Sequence, residues 1–88
     1  MSRQRSTEVI ESSEYVTIGE LVRLTNSRYS TLKFYTEEGM LPFEQAEQNL
    51  TRRYKRLESV DRLALIRRLK SQGFTIPEIK RILQSGAT

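Results

Sequence analysis

The chain has no cysteine and no histidine, and each absence removes a class of chemistry. Without a thiol there is no disulfide framework, no thiolate nucleophile and no thiolate redox sensing. Without either residue there is no Cys/His zinc site, and without histidine no Ser-His-Asp hydrolysis. Glycine is sparse: the four glycines stand singly at turns or helix ends, so no Gly-rich phosphate loop occurs. Glu37 and Glu38 are adjacent and point to different faces of a helix, so they make no convergent acid pair. Long apolar runs are missing too. None approaches the ~18 residues of a membrane span, and residues 1–14 (MSRQRSTEVIESSE) lack the apolar stretch of a secretory signal. The expectation is a soluble, cytoplasmic protein that is not an enzyme and carries no cofactor.

What is present is charge. Of the 88 residues, 30% are charged and 36% apolar, which leaves a modest core in one small domain. A domain of this size buries roughly 60% of the surface its unfolded chain exposes, so well-capped helices must carry much of the stability. The net charge is +4, unevenly spread. Residues 1–14 hold two arginines and three glutamates, and the rest is more basic than the sum implies. Arg52, Arg53, Lys55 and Arg56 surround Tyr54, with no carboxylate between Glu47 and Glu58 to neutralise them. This cluster reads as a phosphate-facing surface. The clusters Arg67, Arg68, Lys70 and Lys80, Arg81 lie inside amphipathic stretches and read more readily as solvated helix faces.

Along the chain, residues 1–14 read as a flexible N-terminal arm. Thr17 and Glu20 form a capping box that opens a first helix over about 18–24, with Val16 and Leu21 as its hydrophobic staple. Asn26 supplies a turn residue that tolerates the left-handed region. Ser27 is a suitable cap for a second helix over about 28–38, with Leu32 and either Tyr35 or Phe34 facing inward and Gly39 as its stop. Two short helices joined at Asn26 make a helix-turn-helix, whose second helix would offer Arg28, Tyr29, Ser30 and Lys33 to a major groove. Pro42 ends the helical region, and residues 43–56 read as a β-hairpin wing with its tip near 47–49 and its return strand over 50–54. A third helix is expected over about 59–72, stopped by Gly73, with Val60, Leu63, Ile66 and Leu69 as its apolar stripe. Phe74, Thr75, Glu78 and Ile79 then mark the start of a fourth, with Pro77 in its first turn. The expected fold is mainly α: a winged helix-turn-helix of four helices, with the wing between helices 2 and 3. It spans residues 15–84, followed by a tail over 85–88.

From Tyr15 to Leu83 these pieces, in this order and spacing, resemble the DNA-binding domain of the MerR family of bacterial transcription regulators. "YVTIGELVRLTN" is similar to the family's opening helix and turn, and "STLKFYTEEGMLP" to its recognition helix and exit. "LTRRYK" corresponds to the Arg-x-Tyr of the wing, and "GFTIPEIKRIL" to the last helix of the domain. The resemblance implies that Lys33, where the family usually has Arg, points into the groove. It implies that Tyr35 packs against the sugar-phosphate backbone, that Arg28 and Tyr29 read sequence, and that Arg52 and Tyr54 are the paired wing residues. Phe34 is open between a core role and a DNA-facing one. The DNA-facing set is then Thr17, Arg28, Tyr29, Ser30, Lys33, Phe34, Tyr35, Arg52, Arg53, Tyr54 and Lys55, with no metal or catalytic residue.

Three departures stand out: Asn26 in place of the usual turn Gly, a linker after Tyr54 one residue longer than typical, and an end at Thr88. Family members normally continue into a long dimerisation helix and an effector-binding region. The resemblance therefore implies a homodimer, through a segment absent from this chain, on a pseudo-palindromic promoter site in double-stranded DNA of the nucleoid or a plasmid. Two alternatives stay open. One is a plasmid or phage accessory DNA-binding protein, excisionase-like or a segregation factor. The other is a protein-interaction module whose basic face meets an acidic partner.

Overall fold

The structure, a computed structural model, describes residues 5–48 and 50–85. Five helices and two short strands follow in the order α1 (Thr7–Ser12), β1 (Tyr15–Val16), α2 (Ile18–Thr25), α3 (Tyr29–Glu37), β2 (Tyr54–Lys55), α4 (Arg56–Ser71) and α5 (Ile76–Gln84). Local chemistry accounts for most boundaries. Thr17 caps α2 and Thr75 caps α5, and in each the threonine N–H donates back to the carboxylate of the glutamate three residues on. Asn26 ends α2 at φ 52°, the left-handed conformation the turn needs. Gly39 and Gly73, at φ 75° and 96°, close α3 and α4. In each, the glycine N–H and the following N–H return to carbonyls of the last turn: Gly39 to Thr36 and Met40 to Tyr35, then Gly73 to Lys70 and Phe74 to Leu69.

The winged helix-turn-helix is present, with an additional helix and a differently built sheet. Residues 7–12 form α1 where a flexible arm is expected, and Ile10 is buried at 1% exposure. Ser6 caps α1 at the Val9 N–H, and Arg5 reaches across to Glu20 of α2 at 2.7 Å. The first four residues of the expected arm lie outside the described residues. The two strands are antiparallel, with Tyr15 opposite Lys55 and Val16 opposite Tyr54. The wing thus returns not only on itself but also onto the segment before α2. Among the described residues its own strand-like closure is the bridge Glu44 to Arg53, with bonds of 2.7 and 2.8 Å. The expected tip at 47–49 falls partly outside the described residues, as does most of the tail over 85–88.

Two helix starts differ from the sequence reading. The residue capping α3 is Arg28, without a side-chain bond, because the Ser27 hydroxyl is held instead by Thr25 and Arg67. Helix α4 begins at Arg56 rather than near Ser59. The Arg56 N–H bonds Glu14 O as the sheet ends, so the chain turns from β2 straight into the helix and buries Ser59 inside its first turns. One core joins all the helices: Ile10, Leu21, Leu32, Tyr35, Leu63, Ile66 and Ile79 are buried together, with Met40 and Leu41 from the exit of α3. Among the described residues no helix is long and apolar enough to cross a membrane.

Candidate nucleic-acid interface

Helix α3 divides cleanly. Leu32, Tyr35 and Thr36 are buried, while Arg28 before it and Tyr29, Ser30, Lys33 and Phe34 on it are exposed. The exposed face carries two cations, a hydroxyl and two aromatic rings, with Tyr29 at 55% and Phe34 at 45% exposure. Of the two roles open for Phe34, the core one is excluded by that exposure. Arg28 and Lys33 take part in none of the ion pairs among the described residues. Their charge stays available to an external anion.

Tyr35 and Tyr54 are corrections to the set. Tyr35 is 5% exposed, its ring tilted against Phe34 at 5.9 Å between centroids. Tyr54 is fully buried, and its hydroxyl is bonded to Thr36 at 3.0 Å. A phenol enclosed in this way is a core residue joining β2 to α3, with no surface left for a phosphate. Thr17 is half-buried and its hydroxyl accepts the Glu20 N–H, so capping already uses it.

The basic cluster at 52–56 is less open than its sequence implies, because the fold brings distant partners to Arg52 and Arg56 and a helix neighbour lies near Lys55. Arg52 meets Glu37 at 3.3 Å and lies over the Phe43 ring, 4.6 Å from its centroid. Lys55 is 4.0 Å from Glu58. Arg56 donates to Ser13 O at 2.7 Å. Arg53 is exposed, and among the described residues only its backbone is engaged, in the bridge to Glu44. Beside this bridge the Tyr15 hydroxyl donates to the Glu44 carboxylate at 2.8 Å, which raises the Tyr15 pKa and ties the wing to β1.

Arg67 has a positioning role that its charge cluster did not reveal. Its guanidinium donates to Thr25 O and the Ser27 hydroxyl, both at 2.8 Å, and to Asn26 O at 3.4 Å. It therefore spans the turn between α2 and α3 from α4, 40 or more residues away in sequence. Lys80 of α5 likewise bonds Glu38 at the end of α3, at 3.0 Å. Spacing along the chain carries no signal for either bond.

Residues 16–86 match the family model described as MerR HTH family regulatory protein. A similar protein is the mercuric resistance operon regulatory protein of Bacillus cereus, 33% identical over 66 residues, which cover 75% of this chain. The chain spans about half the length of that relative, 49% by alignment. No solved structure is a significant match. With the family match running from β1 through α5, and with the helix-turn-helix and wing in place, the chain belongs to the MerR helix-turn-helix family of regulatory proteins.

Proposed function

We propose that the chain binds double-stranded DNA sequence-specifically as the reading domain of a transcription regulator. Helix α3 enters the major groove, and the wing over 43–56 lies on the backbone or minor groove. The observation that carries this reading is the outward face of α3. Arg28, Tyr29, Ser30, Lys33 and Phe34 are exposed there, with both cations outside the internal ion pairs. Cations can reach phosphates or guanine edges, a hydroxyl either, and an aromatic ring the thymine methyl. Arg53, exposed at the base of the wing, and Arg52 beside it supply further phosphate contacts. Family membership supports promoter DNA as the target and a homodimer on a pseudo-palindrome as the bound form. The setting is then the cytoplasm, on nucleoid or plasmid DNA.

The test is a site selected from random duplexes, followed by anisotropy titrations on that site and on a scrambled one. Lys33→Ala should reduce the difference between the two duplexes by about 1–3 kcal/mol, the range for one base contact. Binding that weakens with salt yet ignores sequence would exclude specific readout. It would favour an accessory DNA-binding role or an acidic protein partner.

A further inference from the structure

Arg52 is held by a residue of the helix that the proposed function puts in the groove. Its Nη1 lies 3.3 Å from Glu37 Oε1, and both side chains reach solvent, at 36% and 53% exposure. The guanidinium rests on the Phe43 ring at 4.6 Å. That ring in turn packs against buried Tyr54, with centroids 6.1 Å apart. Tyr54 bonds Thr36, the neighbour of Glu37 on α3. The cation therefore sits in a cradle built jointly by wing and helix, with one carboxylate at its side. Glu37 is the last residue of α3, whose final turn holds no basic residue of its own, so Arg52 also offsets the negative end of the helix dipole.

A nucleic-acid phosphate approaching Arg52 finds this carboxylate already on the guanidinium. The two anions compete for one guanidinium and repel each other. We propose that Glu37 is a specificity-determining residue acting through Arg52: it competes for the wing cation on mismatched DNA and yields it more readily where α3 is seated and the duplex brings a phosphate to Arg52. This inference rests on the DNA-binding reading above. The pair is exposed, so it weakens a contact without abolishing it.

The experiment is a double-mutant cycle of Glu37→Gln and Arg52→Gln, titrated on matched and scrambled duplexes at low and high salt. Glu37→Gln should tighten binding to the scrambled duplex roughly two- to fivefold, the span expected of an exposed pair. The gain should be smaller on the matched duplex, fade at high salt and vanish in the Arg52→Gln background. No gain, an equal gain on both duplexes, or a gain that survives Arg52→Gln would overturn the proposal, the last marking Glu37 as a general negative charge. If Arg52→Gln alone leaves every affinity unchanged, the wing contact of the proposed function fails, and the competition with it. Lys33→Ala tests helix readout independently of either result.

Discussion

A phenol buried in a small core needs a partner for its hydroxyl, and Tyr54 finds it in Thr36. Thr36 gives its own proton to Leu32 O at 2.8 Å, so its oxygen is left to accept from Tyr54. Removing that donor leaves a buried acceptor one bond short. Tyr54→Phe should therefore lower stability by about 1 kcal/mol in urea denaturation while leaving the DNA affinity of the folded protein unchanged. A loss of affinity at constant stability would return Tyr54 to the interface. At this scale Asn26 was legible, because few residues accept a left-handed turn. The inward position lay open between Tyr35 and Phe34, and the burial of Tyr54 was not legible at all. An aromatic ring with a polar tip suits a core and a phosphate equally well, and only the fold around it separates the two.

The elements divide by how local their causes are. Helices α2 and α5 carry their start signals within four residues, and both capping boxes form as written. The stops at Gly39 and Gly73 are equally local. Helix α1 is different. Six residues with Val9 exposed and Ile10 alone buried show no apolar period, so a polar segment reads as an arm. Its order comes from tertiary partners: Ile10 in the core, Arg5 on Glu20, and Arg23 on Arg5 O and the Thr7 hydroxyl. Ile10→Ala should cost about 2–5 kcal/mol, the range for a large side chain removed from a packed site. Hydrogen exchange should show α1 opening first. A change under about 0.5 kcal/mol, the level of ordinary surface sites, would mean the helix contributes little to the core. The early start of α4 has a similar origin, since the Arg56 N–H bonds to Glu14, far back in the chain.

Across the whole molecule, long-range ion pairs and hydrogen bonds orient the candidate interface. Arg67 holds the turn before α3, Lys80 holds Glu38 after it, and Arg52 ties Glu37 to the wing. Elsewhere Arg5 bonds both oxygens of Glu20, a residue only 9% exposed. The Arg5 bond, with the Thr17 N–H and the nearby positive charge, lowers the Glu20 pKa to about 2 against the opposing effect of burial. The Thr75 N–H lowers that of Glu78 in the same direction. A carboxylate depressed in the folded state stabilises it fully above its unfolded pKa, near 4.5, and loses that contribution as pH falls toward about 2. Denaturation midpoints should therefore decline through that window. The decline should be shallower in Glu20→Gln, which has no proton to take up. An identical slope in the variant would show that the Arg5–Glu20 contact does not persist in solution.

The amino-acid sequence by itself determined the helix-turn-helix, the capping boxes of α2 and α5, the glycine stops, the apolar stripes and the exposed basic residues at the start of α3. These depend on backbone preferences and side-chain spacing within a few residues, where chain order and spatial neighbourhood coincide. Tertiary structure decided the docking of α1, the pairing of β1 with β2, the choice of Tyr35 over Phe34 as the inward ring and the enclosure of Tyr54. It also decided which cations remain free. Cysteine and histidine are absent, so no thiol or imidazole chemistry was there to find. The surface chemistry that remains is a contest for arginines and lysines, and its outcome rests on carboxylates and carbonyls that meet them only when distant segments pack together.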